Sequence, residues 1–220
     1  MTGQWLGGLA AAAMVWAGGA AAQSTITTGP AVAAAAIAAP PQAKVDTSLG
    51  TFTITLDRVN APKSVANFIA YAKEGHFDGT TIYRIAPGFV IQMGSVEATG
   101  VSRPTHAAIP LESANGLKNV RGSVSMARQS DPQSATAEFF VNLANNSDLD
   151  PAPGAAPNTT GYAVFGRVSD GMDVVDKIAA APLGGAQGPF PPSATPMSPV
   201  LIKKVTVIDS PGPNPPPFAR

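Results

Sequence analysis

Arg84 is the side chain whose surroundings in the sequence most strongly suggest chemistry. It lies in residues 82–94, where apolar residues alternate as they do in a strand and Pro87-Gly88 marks a turn. A guanidinium is always charged and carries donors but no acceptor, so an apolar setting costs desolvation energy unless an acceptor lies nearby. In one interpretation this acceptor is a substrate carbonyl. In the other, Arg84 only extends its charged end to water or pairs with a structural carboxylate.

The composition excludes several classes of function. The chain has 220 residues, enough for one domain with a substantial core, and its 14 Lys and Arg residues balance 14 Asp and Glu residues. With a formal net charge of zero, there is no basic excess to bind nucleic acid. The absence of cysteine rules out disulfides, thiol catalysis and zinc sites built on cysteine. His76 and His106 have no neighbouring pattern of metal ligands, so we expect no metal site at either.

The start of the chain is typical of an exported protein. Residues 1–22 contain an apolar run that ends in Ala20-Ala21-Ala22, which predicts a signal peptide cleaved before Gln23, although no Lys or Arg precedes the run. An uncleaved anchor is the alternative, but the run is short for a membrane span. We therefore expect a periplasmic or secreted protein with no stable membrane insertion after cleavage.

Two segments beside the folded part are predicted to be disordered. Residues 23–43 are rich in Ala and Pro and would form a flexible spacer. Residues 210–220 contain five prolines and would form a disordered tail. The tail has a second interpretation, as a polyproline II peptide that docks on a partner.

Residues 44–209 have the periodicity of a folded domain. Leu49-Gly50 predicts a hairpin turn, followed by a half-buried strand at residues 51–56. A helix is predicted to begin at Pro62 and to stop at Gly75. Its apolar face would contain Val65, Phe68, Ile69 and Ala72. A second helix, capped by Asp170, would bury Met172, Val175 and Ile178.

The remaining elements are predicted to be short strands. They lie at residues 81–84, 89–93, Ser123–Met126, Phe139–Asn142, 162–168 and 204–208. Many short strands with only two helices indicate a closed or nearly closed antiparallel β architecture.

Three ordered blocks of the sequence resemble the signatures of one family. The first is YRIAPGFVIQMG at residues 83–94. The second comprises GSVSMAR at residues 122–128 and SATAEFFVN at residues 134–142, and the third runs from GYAVFGRV at residues 161–168 into DGMDVV at residues 170–175. Together they resemble the cyclophilins, a family of peptidyl-prolyl cis-trans isomerases, over about residues 44–209. The Met-Ala-Arg sequence and Tyr162 are most similar to the bacterial exported (periplasmic) branch.

This resemblance implies a fold and a site. The fold is mainly β, a closed eight-stranded antiparallel β-barrel capped by two α-helices, and a groove on its outer face takes an extended peptide with its proline ring in a hydrophobic pocket. The catalytic residues would be Arg84, Phe89 and Gln92. The substrate-binding residues would be Val90, Ala127, Arg128, Glu138, Phe140, Leu149 and Tyr162. The implied partners are proline-containing segments of unfolded or folding proteins, bound by a monomer without a cofactor.

Tyr83 and Glu138 are two of the residues that depart from the family pattern. Tyr83 stands where many relatives have His, a change to which we attach little weight. Glu138 stands where the family usually has Gln, and an ionised glutamate only accepts hydrogen bonds whereas glutamine also donates them. Near Arg84, Glu138 would form an ion pair that either orients the guanidinium or competes with the substrate. We expect Glu138 to reduce activity moderately and to make it pH dependent.

Three functions compete at this point. An exported prolyl isomerase that assists protein folding is favoured by Arg84 together with Phe89, Gln92 and Phe140. A cyclophilin-like module or chaperone that holds proline-containing segments with weak or no turnover is favoured by Glu138. A secreted β-barrel around a small ligand has no motif to support it. The proline-rich loops at residues 148–161 and 183–199 would modulate access to the site.

Overall fold

The computed structural model describes residues 39–186 and 189–208. The predicted signal peptide at residues 1–22 and the predicted tail at residues 210–220 lie outside these ranges, as does most of the predicted spacer. The last two residues of that spacer, Gln42 and Ala43, belong instead to the first strand, so the folded domain begins slightly earlier than residue 44.

Eight strands and two α-helices make up the described domain. The strands are β1 (Gln42–Thr47), β2 (Gly50–Leu56), β3 (Arg84–Ala86), β4 (Val90–Met93), β5 (Ser123–Met126), β6 (Phe139–Asn142), β7 (Val164–Asp170) and β8 (Ile202–Ile208). The helices are α1 (Pro62–Lys73) and α2 (Met172–Ala179), and short 3₁₀ helices lie at Ser147–Leu149 and Pro192–Ala194. All strand pairs are antiparallel, and the order in the single sheet is β3-β4-β6-β5-β7-β2-β1-β8.

The two end strands of this order, β3 and β8, approach each other through the segments that precede them. Thr81 and Leu201 form an isolated bridge, and the N–H of Ile82 donates to the Val200 carbonyl at 2.8 Å. Within the described ranges, β3 and β8 share no ladder. The prediction of eight antiparallel strands with two helices is therefore confirmed, whereas the closed barrel is not shown.

Helix α1 forms where the sequence predicts it, but its N-terminus is capped from a distance. It begins at Pro62, whose missing N–H costs nothing in the first turn, and it buries the whole predicted face. No side chain at Ala61 caps the helix. Instead, the Glu112 carboxylate accepts hydrogen bonds from the N–H groups of Lys63 (3.0 Å) and Ser64 (2.8 Å). A negative charge at this end of a helix is stabilising, because the N-terminal N–H groups carry partial positive charge.

Aromatic rings from helix α1, from the sheet and from the segment after α1 fill the centre of the core. Phe68 of α1 lies 5.2 Å from Phe77, 5.3 Å from Phe139 and 5.4 Å from Phe165, measured between ring centroids. These rings are almost completely buried, as are Val175 and Ile178 on the predicted face of α2. The helices are thus held against the sheet by contacts between long, rigid side chains.

Two local predictions are wrong. Residues 81–84 do not form a strand; Thr80 and Thr81 make isolated bridges to distant segments, and β3 begins only at Arg84. Asp170 does not cap α2, because it is the last residue of β7, and the N-cap is Gly171 with φ +76°. A Cβ at Gly171 would lie 2.5 Å from the Thr51 carbonyl oxygen, so this crossing of β2 requires glycine.

The described residues lack two features. None of their helices combines the length and apolar character needed to cross a membrane. The same residues contain no cluster of three or more His, Cys, Asp or Glu side chains arranged to hold a metal ion.

We predict that Phe68→Ala lowers the free energy of unfolding by about 3–5 kcal/mol, because it removes a buried ring and leaves a cavity among rigid neighbours. Urea unfolding followed by circular dichroism measures the change. Lys63→Ala, at an exposed position of the same helix, is the control and should change the free energy by less than about 0.5 kcal/mol. Similar midpoints for both variants would contradict this description of the core.

Candidate active site

The pairing of β3, β4 and β6 brings the predicted catalytic side chains together. Arg84 pairs with Gln92, and Gln92 pairs with Phe140 on the next strand. Residues directly opposite each other in antiparallel strands share a face, so these three side chains form a row on the outer face of the sheet. The residues next to them point the other way and are fully buried in the core; they are Ile85, Ile91 and Val141.

The turn between β3 and β4 fixes Phe89 beside this row. Gly88 has φ +70°, which glycine adopts without strain, and the Phe89 N–H donates to the Ala86 carbonyl at 2.9 Å. The Phe89 carbonyl in turn accepts from the Leu143 N–H (2.8 Å) and from Asn146 Nδ2 (2.9 Å). Three backbone or amide contacts therefore hold the turn that carries Phe89.

A cavity of about 230 Å³ opens next to Arg84, with an apolar floor and polar groups from Arg84, Gln92 and Arg128 around it. We call it the apolar cavity after its floor. It is built on a hydrophobic cluster separate from the main core, with Val90, Ala127 and Phe140 buried at its base. The rings of Phe140 and Tyr162 meet edge to face at 5.6 Å, which stiffens one wall. The lining residues are Arg84, Phe89, Val90, Gln92, Ala127, Arg128, Phe140, Leu149, Tyr162 and Phe190. The structure thus gathers every predicted site residue except Glu138 around one cavity.

Arg128 on the rim and Ala127 at the base make contacts that restrict what they can offer a ligand. The Arg128 guanidinium lies over the Tyr162 ring at 4.6 Å, and its Nε donates to the Gly161 carbonyl at 3.1 Å. The Ala127 N–H donates to the Glu138 carbonyl at 2.8 Å within the sheet. The Ala127 N–H is therefore already used, and a main-chain contact from Ala127 to a ligand would come from its carbonyl oxygen.

Arg84 itself is half-exposed at the edge of the apolar cavity. Its Nη1 donates to Gln92 Oε1 at 3.0 Å, and its guanidinium carbon lies 4.8 Å from the centroid of the Phe190 ring. A cation over a ring face is attracted by the negative face of the π system. The guanidinium is therefore held by a neutral amide and a neutral ring.

Glu138 lies in an adjacent cavity of about 370 Å³, which shares Gln92, Ala127, Arg128 and Phe190 with the apolar cavity. Its Oε2 accepts from the Tyr83 hydroxyl at 2.7 Å, and its Oε1 accepts from the Ser95 N–H at 2.7 Å. The Tyr83 oxygen accepts from Gln92 Nε2 at 2.7 Å.

The expected ion pair between Glu138 and Arg84 is not what the described residues form. The carboxylate reaches the guanidinium only through Tyr83 and Gln92. Burial raises the pKa of the Glu138 carboxyl, and hydrogen bonds from Tyr83 and Ser95 partly offset this effect. Burial, with the nearby negative charge of Glu138, also raises the pKa of the Tyr83 hydroxyl, which therefore keeps its proton.

Sequence reasoning missed Phe190 and gave too little weight to Tyr83. Phe190 stacks on Tyr83 with centroids 5.8 Å apart and lines both cavities, although it comes from the loop between α2 and β8. It is the only aromatic residue in residues 183–199. A single aromatic ring in a loop rich in Pro and Gly was the signal that could have identified Phe190 as a site residue. The loop was predicted only to modulate access to the site.

The comparison with known families agrees with this arrangement. Residues 42–207 match the family described as cyclophilin type peptidyl-prolyl cis-trans isomerase/CLD. The chain belongs to this family. The match spans almost the whole described domain, from β1 into β8, so fold and site fall within one family assignment.

Similar proteins carry the same activity in their names. The chain is 41% identical over 165 residues to peptidyl-prolyl cis-trans isomerase cyp18 of Streptomyces antibioticus, covering 75% of this chain and 97% of that protein. It is 40% identical over 161 residues to peptidyl-prolyl cis-trans isomerase B of Escherichia coli, covering 73% and 96%. With the family match, these identities show that this cyclophilin is a peptidyl-prolyl cis-trans isomerase.

A solved structure supports the fold independently. The crystal structure of a Cryptosporidium parvum cyclophilin type peptidyl-prolyl cis-trans isomerase, obtained in the presence of the dipeptide Ala-Pro, superposes with a TM-score of 0.61 at 23% identity. The alignment covers 77% of this chain and 99% of that one.

We predict that Phe190→Leu lowers kcat/KM about 2- to 5-fold, because the loss of a ring face over Arg84 removes an attraction of roughly 0.5–1 kcal/mol. Exchange between the cis and trans forms of an Xaa-Pro tetrapeptide, followed by NMR, measures the effect. Phe190→Tyr keeps the ring face and is the matched control, expected to leave kcat/KM unchanged. An equal or higher value for the Leu variant would show that the ring is only a cover over the site.

Proposed function

We propose that this cyclophilin binds an extended Xaa-Pro segment with the proline ring in the apolar cavity, and that Arg84 stabilises the twisted transition state of the prolyl bond. The observation that carries the proposal is the guanidinium at the edge of a cavity whose apolar lining is separate from the core. Such a pocket, with an oriented guanidinium at its edge, suits a ligand that is mostly apolar and has a polar bond to be recognised.

The chemistry requires very little from the protein beyond position and charge. Rotation about an Xaa-Pro bond has a barrier of roughly 18–20 kcal/mol and takes tens to hundreds of seconds without a catalyst. In the twisted state the amide loses resonance, and the prolyl nitrogen regains a lone pair that accepts a hydrogen bond. A fixed guanidinium that donates to this nitrogen lowers the barrier, provided that it binds the twisted state more strongly than the planar state.

The geometry around Arg84 fits this role. The guanidinium donates to one side-chain acceptor, Gln92 Oε1. Because a guanidinium has five N–H donors, other donors remain for the substrate. In the proposal, Phe89, Val90, Phe140, Leu149 and Tyr162 hold the proline ring while the other side of the bond turns. Gln92 would have a second role next to the substrate backbone.

The alternative function, a binding module with little turnover, is favoured by Glu138 if its carboxylate pairs with Arg84 and competes with the substrate. The carboxylate instead accepts hydrogen bonds from Tyr83 and Ser95, and this arrangement favours the enzyme over the binding module.

The cellular role is the second part of the proposal. We propose that the chain is exported, that it belongs to the periplasmic branch, and that it acts as a monomer on proline-containing segments of other exported proteins during folding. The apolar run of residues 1–22 and the small residues before Gln23 support this role.

We predict that Arg84→Ala lowers kcat/KM about 100-fold or more, since one preorganised donor contributes roughly 3–4 kcal/mol at comparable electrostatic sites. The NMR exchange measurement described above detects the loss, and the urea midpoint checks that the variant is folded. Arg84→Lys keeps the charge but loses the planar donor array, and we expect it to recover only a small part of the activity. Activity within threefold of wild type for Arg84→Ala would reject the assigned role.

We predict that expression of the full chain in a bacterial host with an intact export pathway yields a mature protein that begins at Gln23. Intact-mass spectrometry of the periplasmic or culture fraction identifies the N-terminus, because signal peptidase cleaves after small residues. Ala20→Leu combined with Ala22→Leu should block processing and serves as the control. Recovery of full-length protein from the soluble cytoplasmic fraction would contradict export.

A further inference from the structure

Four side chains form a continuous hydrogen-bonded chain that ends at Arg84. Arg84 Nη1 donates to Gln92 Oε1 (3.0 Å), Gln92 Nε2 donates to the Tyr83 oxygen (2.7 Å), and the Tyr83 hydroxyl donates to Glu138 Oε2 (2.7 Å). We call this set, Arg84–Gln92–Tyr83–Glu138, the polar relay. Its members come from three places: the residue before β3, the paired strands β3 and β4, and the residue before β6.

The direction of every hydrogen bond in the polar relay follows from the charge of Glu138. An ionised carboxylate only accepts, so the Tyr83 proton must point towards it. The Tyr83 oxygen can then only accept from Gln92, which turns the amide NH₂ towards Tyr83 and the amide oxygen towards Arg84. A guanidinium has no acceptor, so this orientation is the one in which Gln92 and Arg84 attract each other.

The opposite orientation of Gln92 would weaken the site. If the Tyr83 proton pointed to Gln92, the amide oxygen would face Tyr83 and the NH₂ group would face the guanidinium, donor against donor. The side-chain amide of glutamine has no intrinsic preference between these two orientations, which are distinguished only by their partners. The acceptor at the far end, Glu138, removes this ambiguity.

The fold holds the Glu138 carboxylate where it can accept from Tyr83 and so orient Gln92. The Ser95 N–H donates to its other carboxylate oxygen at 2.7 Å, so both oxygens are occupied. Gly94 makes room for the side chain, because a Cβ there would lie 2.8 Å from Glu138 Cδ and 2.7 Å from its Cα. A larger residue at position 94 would push the carboxylate away from Tyr83.

We propose that Glu138 and Tyr83 are positioning residues for the isomerase reaction, which set the orientation of Gln92 and through it hold the guanidinium of Arg84. The proposal rests on the role given to Arg84 above. It reverses the direction expected from the sequence, since Glu138 supports activity instead of reducing it.

Other polar groups around Glu138 must be separated from it in any pH experiment. Tyr83 and Arg84 belong to the polar relay, and Arg128 lines the same cavity. His76 is connected through Ser95, whose Oγ lies 3.1 Å from His76 Nε2.

Because burial raises the pKa of Glu138, the carboxyl gains its proton as the pH falls towards that raised value, and the polar relay then loses its direction. Activity should therefore decline on the acid side.

The test compares wild type with Glu138→Gln and Tyr83→Phe. We expect each variant to lower kcat/KM about 5- to 10-fold, which corresponds to the net contribution of one typical hydrogen bond. The double variant should lose no more than either single variant, because both changes break the same chain. The acid-side decline should disappear in Glu138→Gln; if it persists there, His76 is its source and the polar relay is overturned as the pH-sensitive element.

A second measurement separates positioning from general stability. The ¹⁵N-edited NMR signals of the Arg84 guanidinium should broaden or shift in Glu138→Gln and Tyr83→Phe, while the urea midpoint shows whether each variant is folded. Unchanged Arg84 signals with unchanged kcat/KM in both variants would overturn the proposal. If Arg84→Ala abolishes activity while both relay variants retain it, only the polar relay fails; if Arg84→Ala is active, the assigned role of Arg84 fails first.

Discussion

A permanent charge held beside an apolar cavity is the constraint on which the whole site depends. Arg84 must be fixed in place without being neutralised, because a guanidinium already paired with a carboxylate has less positive field to offer a developing lone pair. The structure fixes it with the amide oxygen of Gln92 at 3.0 Å and the ring of Phe190 at 4.8 Å. Both partners are neutral, so the charge remains directed at the cavity.

The rigidity of this arrangement comes from the hydrophobic core on the other side of the same strands. Ile85 and Ile91 are fully buried and lie next to Arg84 and Gln92 in sequence. A register slip of one residue would move every side chain of a strand to the opposite face, so the burial of the isoleucines also fixes the register that aligns Arg84 with Gln92. Burial energy in the core therefore determines the geometry of a site on the opposite face of the same strands.

Local patterns predicted those parts of the fold whose signals lie within a single element. Helix α1 begins at Pro62, and strands β5 and β6 have the predicted bounds, because helical and strand periodicity are read over a few neighbouring residues. Residues 81–84 resemble a strand by the same criterion, yet Thr81 pairs with Leu201, far along the chain. The Glu112 cap and the contact of Phe190 with Arg84 depend on the paths of long loops, which no local pattern encodes.

The cavity residues were predictable only through the family resemblance, since Phe140 and Leu149 by themselves are ordinary apolar residues.

Tyr83 and Glu138 are better understood as one feature than as two separate departures from the family pattern. A carboxylate at position 138 needs a donor, and the Gln92 amide that faces Arg84 needs an acceptor for its NH₂ group, so the residue between them must both donate and accept. A tyrosine hydroxyl does both, and the raised pKa of Tyr83 keeps it in that form. A histidine at position 83 would offer a donor and an acceptor only while neutral, and its protonated form would oppose the Gln92 NH₂ with a second donor. The partly buried carboxylate therefore suits a neighbour that does not titrate near neutral pH. Tyrosine at position 83 meets that requirement, and Glu138 in turn provides the acceptor that the tyrosine proton needs.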